Sequence, residues 1–246
     1  MNRASISLLT KKRMTFRRNE FITVSIIALI LAGAFIAMPG IDLFVSGLFF
    51  RDGNWLLDPD SPWLFLIYRG LPRLGQFMLI VITLLWVTSQ FKRWKKLHSK
   101  RWLLSFLLAG IFIGPTLVVD VGLKDHLDRA RPGNTQEFGG PRKFTPAFIP
   151  SDQCIKNCSF VSGHVVGVSF LMAFGWLGSP IQRRRWLVGS LIAASVVGLA
   201  RMIPGSHFLS DVTFAWLFIY FSLWLTEGCL RLLGWKAPEN REHYSC

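Results

Sequence analysis

Acid is scarce in this chain. Its 246 residues hold 14 Asp and Glu against 28 Lys and Arg, a formal charge of +14. Charge of either sign is also missing from long stretches, as in FITVSIIALILAGAFIAM at 21–38. Hydrophobic residues make up 51% of the sequence and the mean hydropathy is +0.39. A soluble domain rarely combines such hydropathy with such an excess of base, whereas a membrane protein does so through apolar spans and basic loops. A nucleic-acid binder is the other class that +14 suggests. It is excluded because the cations stand in short runs between apolar stretches instead of lining one face. Internal repeats and low-complexity linkers are lacking too, so 1–246 reads as a single integral membrane domain.

What is there is a set of six apolar stretches, at 21–38, 74–91, 102–121, 160–178, 186–200 and 212–235. Each is read as a transmembrane helix, which makes the expected fold class all-α, a polytopic bundle. The first follows a basic segment as a signal peptide would, but its apolar core is longer than the usual h-region, so it is expected to be retained. The octet LFVSGLFF at 43–50 is too short to span and is assigned to the interface.

The basic runs occupy alternate connections: Lys11, Lys12, Arg13, Arg17 and Arg18 before the first stretch, KRWKKLHSKR between the second and third, Arg183–Arg185 between the fourth and fifth, and Arg231, Lys236 and Arg241 at the end. By the positive-inside rule they face the cytoplasm, with both termini. They are read as topology and surface solvation. Trp86, Trp94, Trp102, Trp176, Trp186 and Trp235 fall at the same boundary and read as an interfacial belt.

The opposite side gathers ionisable residues at the ends of spans: Lys124 and Arg131, His164, and then Arg201, His207 and Asp211. Polar groups at membrane depth are costly and are functional candidates by default. His207 and Asp211 are four apart and share a helix face, just after a Pro204-Gly205 turn. A carboxylate beside a His fixes its tautomer and stabilises its positive charge. Ser162-Gly163-His164 opens an apolar run. There a helix N-terminus offers free N–H groups to an anion, Gly163 permits close approach, Ser162 caps or donates, and His164 is placed to protonate a leaving oxygen. Lys124, Arg131 and Arg201 supply three cations for a tetrahedral dianion. The implied ligand is a phosphate group.

These residues resemble the type 2 phosphatidic acid phosphatase superfamily. Its K-x6-R-P motif reads here from Lys124 to Arg131-Pro132; its P-S-G-H motif reads Val161-Ser162-Gly163-His164; its S-R-x5-H-x3-D motif reads Ala200-Arg201, His207 and Asp211. Val161 stands for the usual Pro and Ala200 for the usual Ser. The resemblance covers about residues 100–225 and implies a six-helix membrane bundle that hydrolyses a lipid phosphate. It implies that His207 is the nucleophile, forming a phosphohistidine, that Asp211 orients it, and that His164 is the acid and later the base. Lys124, Arg131, Arg201, Ser162 and Gly163 then hold the phosphate. It implies no metal and no cofactor. Asp125, His126 and Asp128, which suggest a metal site at first sight, are read as a solvated charged loop.

The resemblance implies a lipid phosphate substrate reached from the outer leaflet of the bacterial inner membrane, with phosphatidic acid, phosphatidylglycerol phosphate, a polyprenyl pyrophosphate and lipid A as the candidates. The loop at 138–164 looks more like that of the lipid A phosphatases than that of the phosphatidylglycerophosphate group, and its Arg142, Lys143 and Lys156 are read either as contacts for an anionic headgroup or as solvated charges. A lipid phosphotransferase would use the same site with another acceptor. A transporter would also place charges in the membrane without needing His207 and Asp211 at a helix start. The expected partners are the lipid substrate and the bilayer, not nucleic acid, and the oligomeric state is left open. Cys154 and Cys158, four apart in the outer loop, have Cα atoms about 6 Å apart on a helical turn and are expected to pair. Cys229 and Cys246 fall on the reducing side.

Overall fold

Length and hydropathy make helices of this chain, and the bilayer decides which faces they bury. The computed structural model describes residues 3–58, 61–155 and 158–235. Lys156, Lys236, Arg241 and Cys246 lie outside the described residues, as does the side chain of Asp125. The structure is helical almost throughout, with one two-residue hairpin, β1 (Phe50–Arg51) and β2 (Asn54–Trp55). The helices of eight residues or more among the described residues are α1 (Arg3–Ala37), α2 (Gly40–Gly47), α3 (Leu66–Ser89), α4 (Arg101–Lys124), α5 (Gly163–Gly175), α6 (Pro180–Met202) and α7 (Leu209–Leu232).

Five of these, α1, α3, α4, α6 and α7, are long and apolar enough to cross a membrane. The sixth expected span is shorter. Residues 160–162 are not helical, and α5 is a seven-residue α-helix that tightens into a six-residue 3-10 stretch. It is roughly 20 Å long, against a hydrocarbon core of roughly 30 Å. The fifth is longer than expected, because Ser179 and Gln182 form a reciprocal capping box and Pro180 sits at the first helical position, which starts α6 before Arg183.

Helix α7 is central and buries 61% of its most apolar window, whereas α1 and α3 bury 6% of theirs. The outward side chains of the peripheral helices are large and apolar, among them Ile26, Leu29, Ile30, Phe77 and Ile80. Water would not tolerate such faces, and lipid does. The chain is a multi-pass membrane protein. Small residues bring the central helices close: a Cβ on Gly198 of α6 would stand 2.3 Å from Cγ1 of Val212 in α7.

The described residues of the basic runs lie at one end of the bundle, and two buried ion clusters join the helices there. Glu20 of α1 accepts from Nε and Nη2 of Arg183 at 2.9 and 2.6 Å and from the Tyr220 hydroxyl at 3.1 Å. Glu227 of α7 accepts from Arg17, from Trp176 Nε1 at 2.8 Å and from Arg231 at 2.6 Å. Two expectations fail here. Arg183 is only 2% exposed, with its guanidinium 3.7 Å from the centre of the Trp176 ring, so it is not a solvated topology charge. Trp176 is fully buried and does not belong to an interfacial belt. Both depart for one reason: the scarce acids of this end draw cations and an indole N–H inward.

Glu20→Ala leaves the Arg183 guanidinium buried without its carboxylate. The expected loss is about 3–5 kcal/mol of stability, the usual cost of orphaning one member of a buried pair. It is measured as a lower unfolding temperature of the detergent-solubilised protein, with Glu20→Gln falling between the two.

Candidate active site

The turn between α6 and α7 is held from two sides. Gly205 has φ +67°, and a Cβ there would also meet Trp55 Cε2 at 2.3 Å, so both backbone and space require glycine. Its carbonyl accepts from the Gly133 N–H at 2.9 Å, and the Ser206 and His207 N–H groups donate to the Arg201 carbonyl at 3.0 and 3.2 Å. Trp55 itself packs with Phe50 and Phe138. The turn therefore projects His207 inward in a fixed direction.

His207 is 3% exposed. Its Nδ1 lies 2.9 Å from the Ser159 carbonyl. A carbonyl only accepts, so Nδ1 carries the proton and Nε2 keeps its lone pair. Burial, opposed by Asp211, pushes the His207 pKa down to about 4, so the ring is neutral at pH 7.

Asp211 stands 3.6 Å from Nδ1, beside the ring and not in a direct hydrogen bond. Its own partners fix it. Oδ2 accepts from the Phe208 N–H at 2.7 Å, closing the first turn of α7, and from the Ser159 hydroxyl. Oδ1 accepts from Arg129 Nη1 at 2.7 Å. Arg129 is 1% exposed and also donates to the Thr145 carbonyl, to Ser210 Oγ and to Oδ2 of Asp42. Asp42, buried in α2, accepts in turn from the N–H and hydroxyl of Ser210. The carboxylate immediately before the segment expected at the membrane interface thus belongs to this cluster.

The other expected residues converge on the same end. Ser162 is the N-cap of α5, and its buried hydroxyl has no hydrogen-bond partner among the described residues. A Cβ on Gly163 would stand 3.1 Å from Lys124 Nζ, so glycine is what lets the ammonium sit against the start of α5. Lys124 also pairs with Asp120 at 2.9 Å. Arg201 is 2% exposed, yet its Nε and Nη1 have no hydrogen-bond partner among the described residues. Arg201, Arg131 and Lys124 all lie within electrostatic range of His164, and the two arginines also of His207. Burial lowers the pKa of Arg131. His164 Nε2 donates to the Tyr68 carbonyl at 3.1 Å. Buried donors without acceptors, beside a helix N-terminus and three cations, fit a phosphate group. Among the described residues no group of three or more His, Cys, Asp or Glu is arranged to hold a metal ion. Cys154 and Cys158 form the expected disulfide, with Cα atoms 5.6 Å apart, and Cys229 is free.

Reasoning from sequence missed Arg129, Ser159, Ser210, Asp42 and Tyr68. A signal existed for Asp42, the only acid between Phe21 and Phe50. Arg129 stands two residues before the motif arginine, where a further cation went unremarked.

The family model described as the PAP2 superfamily matches residues 101–233. The lipid A 4'-phosphatase of Francisella tularensis subsp. novicida is 36% identical over 155 residues, covering 63% of this chain and 69% of that protein. The lipid A 4'-phosphatase of Rhizobium etli is 33% identical over 201 residues, 76% of this chain and 78% of the relative. That of Rhizobium leguminosarum is 31% identical over 201 residues, 76% and 86%. No solved structure matches the chain.

Gly163→Ala tests the seat of Lys124. The methyl group meets the far end of a flexible side chain at 3.1 Å, so folding tolerates it while the ammonium is displaced. The expected result is an unchanged unfolding temperature and roughly tenfold weaker binding of inorganic phosphate, the factor that about 1.4 kcal/mol represents. Titration calorimetry measures it.

Proposed function

This chain belongs to the PAP2 superfamily, and from that premise we propose that it hydrolyses the phosphate monoester of an envelope lipid through a phosphohistidine at His207. One observation carries the reading. A neutral, buried His207 has its proton committed to Nδ1 and its Nε2 lone pair uncommitted, at an end of the bundle where buried donors of Arg201 and Ser162 await an acceptor.

The step follows from that geometry. Nε2 of His207 attacks phosphorus, the P–O bond to the lipid breaks, and the leaving oxygen takes a proton from His164. Lys124, Arg131, Arg201, Ser162 Oγ and the first N–H groups of α5 balance the charge on the non-bridging oxygens. The phosphorylated imidazole is cationic, with its Nδ1–H still on the Ser159 carbonyl and Asp211 alongside. His164, now the base, takes a proton from water. The water oxygen attacks phosphorus, the P–N bond breaks and His207 returns to its neutral state.

The relatives' names supply the substrate class: lipid A, dephosphorylated at its 4'-phosphate. The chain acts as one domain over 1–246 with a catalytic core at about 100–225. The site faces the periplasm from the inner membrane and both termini are cytoplasmic. That orientation is supported by the basic runs, whose described residues stand at the end opposite His207.

The test is phosphate release from a panel of purified lipid phosphates by the detergent-solubilised protein. Lipid A is expected to be cleaved and His207→Ala to be inactive. His164→Ala is expected to lose about 100- to 10,000-fold, and less with an aryl ester whose leaving group needs no proton. Turnover by His207→Ala, or labelled phosphate trapped on that variant, rejects the nucleophile.

The pH profile is a separate check. Since folding lowers the His207 pKa, the neutral nucleophile persists as pH falls through 6.5 and is lost only near about 4. In kcat/KM, corrected for the substrate's own ionisation near about 6, the acid limb from His207 is expected at about 4. A limb at the ordinary histidine value contradicts this assignment.

A further inference from the structure

Tyr68 lies outside both the matched family region and the three motifs, yet it touches the site at three points. Its ring centre lies 3.6 Å from the guanidinium carbon of Arg201. Its hydroxyl hydrogen-bonds the Ser206 hydroxyl, one residue before His207. Its main-chain carbonyl accepts from His164 Nε2 at 3.1 Å. The residue belongs to Leu66–Gly70, a π-helical turn at the start of α3. Such turns widen a helix and redirect its carbonyls, and they recur at functional sites.

We propose that Tyr68 is a positioning residue of the phosphate site, fixing the plane of Arg201 through its ring and the acidic nitrogen of His164 through its carbonyl. A guanidinium stacked on an aromatic face keeps its N–H bonds in the plane parallel to the ring. Nε and Nη1 of Arg201, buried and without a hydrogen-bond partner among the described residues, are thereby aimed at the ligand and not left to rotate. The carbonyl commits Nε2 of His164 as a donor. Nδ1, which has no hydrogen-bond partner among the described residues, is then the nitrogen that gives its proton to the leaving oxygen. The ring on Arg201 and the hydroxyl on Ser206 anchor the turn that carries this carbonyl.

The inference rests on the phosphatase reading, so its first test needs no turnover. Inorganic phosphate is titrated into the detergent-solubilised full chain, into Tyr68→Ala, into Arg201→Ala and into the double variant. Tyr68→Ala is expected to weaken phosphate binding about 10- to 30-fold, what a desolvated cation–π contact is worth. In the Arg201→Ala background the same change is expected to cost less than about threefold, because the ring then has nothing to orient. Tyr68→Phe, which keeps the ring on Arg201, is expected to lose less than Tyr68→Ala. Equal losses in both backgrounds, or no loss, overturn the Arg201 arm.

The His164 arm is read from kcat. Tyr68→Ala is expected to slow cleavage of a lipid phosphate at least tenfold more than cleavage of nitrophenyl phosphate, whose leaving group needs no acid. Equal slowing of the two overturns it. A wild-type protein that binds phosphate with the expected coupling but cleaves no lipid phosphate would refute the function and leave the Tyr68–Arg201 arrangement standing.

Discussion

A single buried guanidinium sets the geometry of the end of the bundle that holds His207. Arg129 lies between two buried carboxylates, Asp42 at 2.8 Å and Asp211 at 2.7 Å, with Phe208 stacked 4.3 Å from its guanidinium carbon. Desolvating three charges is expensive, and their mutual attraction offsets that only if every remaining donor and lone pair is met. Here the Thr145 carbonyl, Ser210, Ser159 and the Phe208 N–H meet them. The arrangement is directional. Arg129 holds Asp211, Asp211 holds Ser159, and Ser159 decides which nitrogen of His207 carries the proton. Because Asp42 comes from α2 and Arg129 from the loop after α4, the cluster also ties the N-terminal segment to the family core.

The two ends of the bundle use one chemistry for different ends. In the basic half, Glu20 and Glu227 each gather several donors, so the buried carboxylates there are saturated. At the His207 end the carboxylates are also saturated, while Arg201 Nε and Nη1 and Ser162 Oγ are buried with no partner among the described residues; in the basic half Arg17 Nε and Trp224 Nε1 are likewise unmet. Unmet hydrogen-bonding capacity costs stability, and proteins keep it where a ligand supplies the missing partner. The two ends differ in what the unmet donors accompany: Arg17 already pairs with Glu227, whereas Arg201 forms no ion pair among the described residues.

What the sequence showed follows the same division. The residues proposed for the site, His207 with Asp211, Ser162-Gly163-His164 and Lys124 with Arg131, could be read from the sequence because the proposed chemistry demands those types at those spacings. The all-helical class and the separation of basic runs from site residues were legible from hydropathy. Ser159 and Tyr68 were not, since each contributes a main-chain carbonyl that any residue possesses. Arg129 and Asp42 were hidden for another reason: their pairing spans 87 positions and depends on how α2 folds back. The shortness of α5 was masked because Phe160 and Val161 are apolar and buried without being helical.

The placing of Asp211 resolves a conflict within the proposed chemistry. A nucleophilic His must be neutral before attack, yet its ring becomes cationic once phosphorylated. A carboxylate bonded directly to Nδ1 would stabilise the cation strongly and draw a proton onto the free nitrogen, spoiling the nucleophile. A carbonyl alone would orient the ring but offer little to the charge that follows. The structure combines the two: the carbonyl takes the Nδ1 proton at 2.9 Å, and the carboxylate waits at 3.6 Å with its charge shared with Arg129. Burial then dominates before the reaction and keeps the imidazole neutral. After phosphoryl transfer, the same carboxylate is near enough to act on a full positive charge in a medium of low dielectric, where a few ångströms of separation still leave a large interaction. The network that holds Asp211 away from the ring is therefore as much a condition of the proposed reaction as the two histidines themselves.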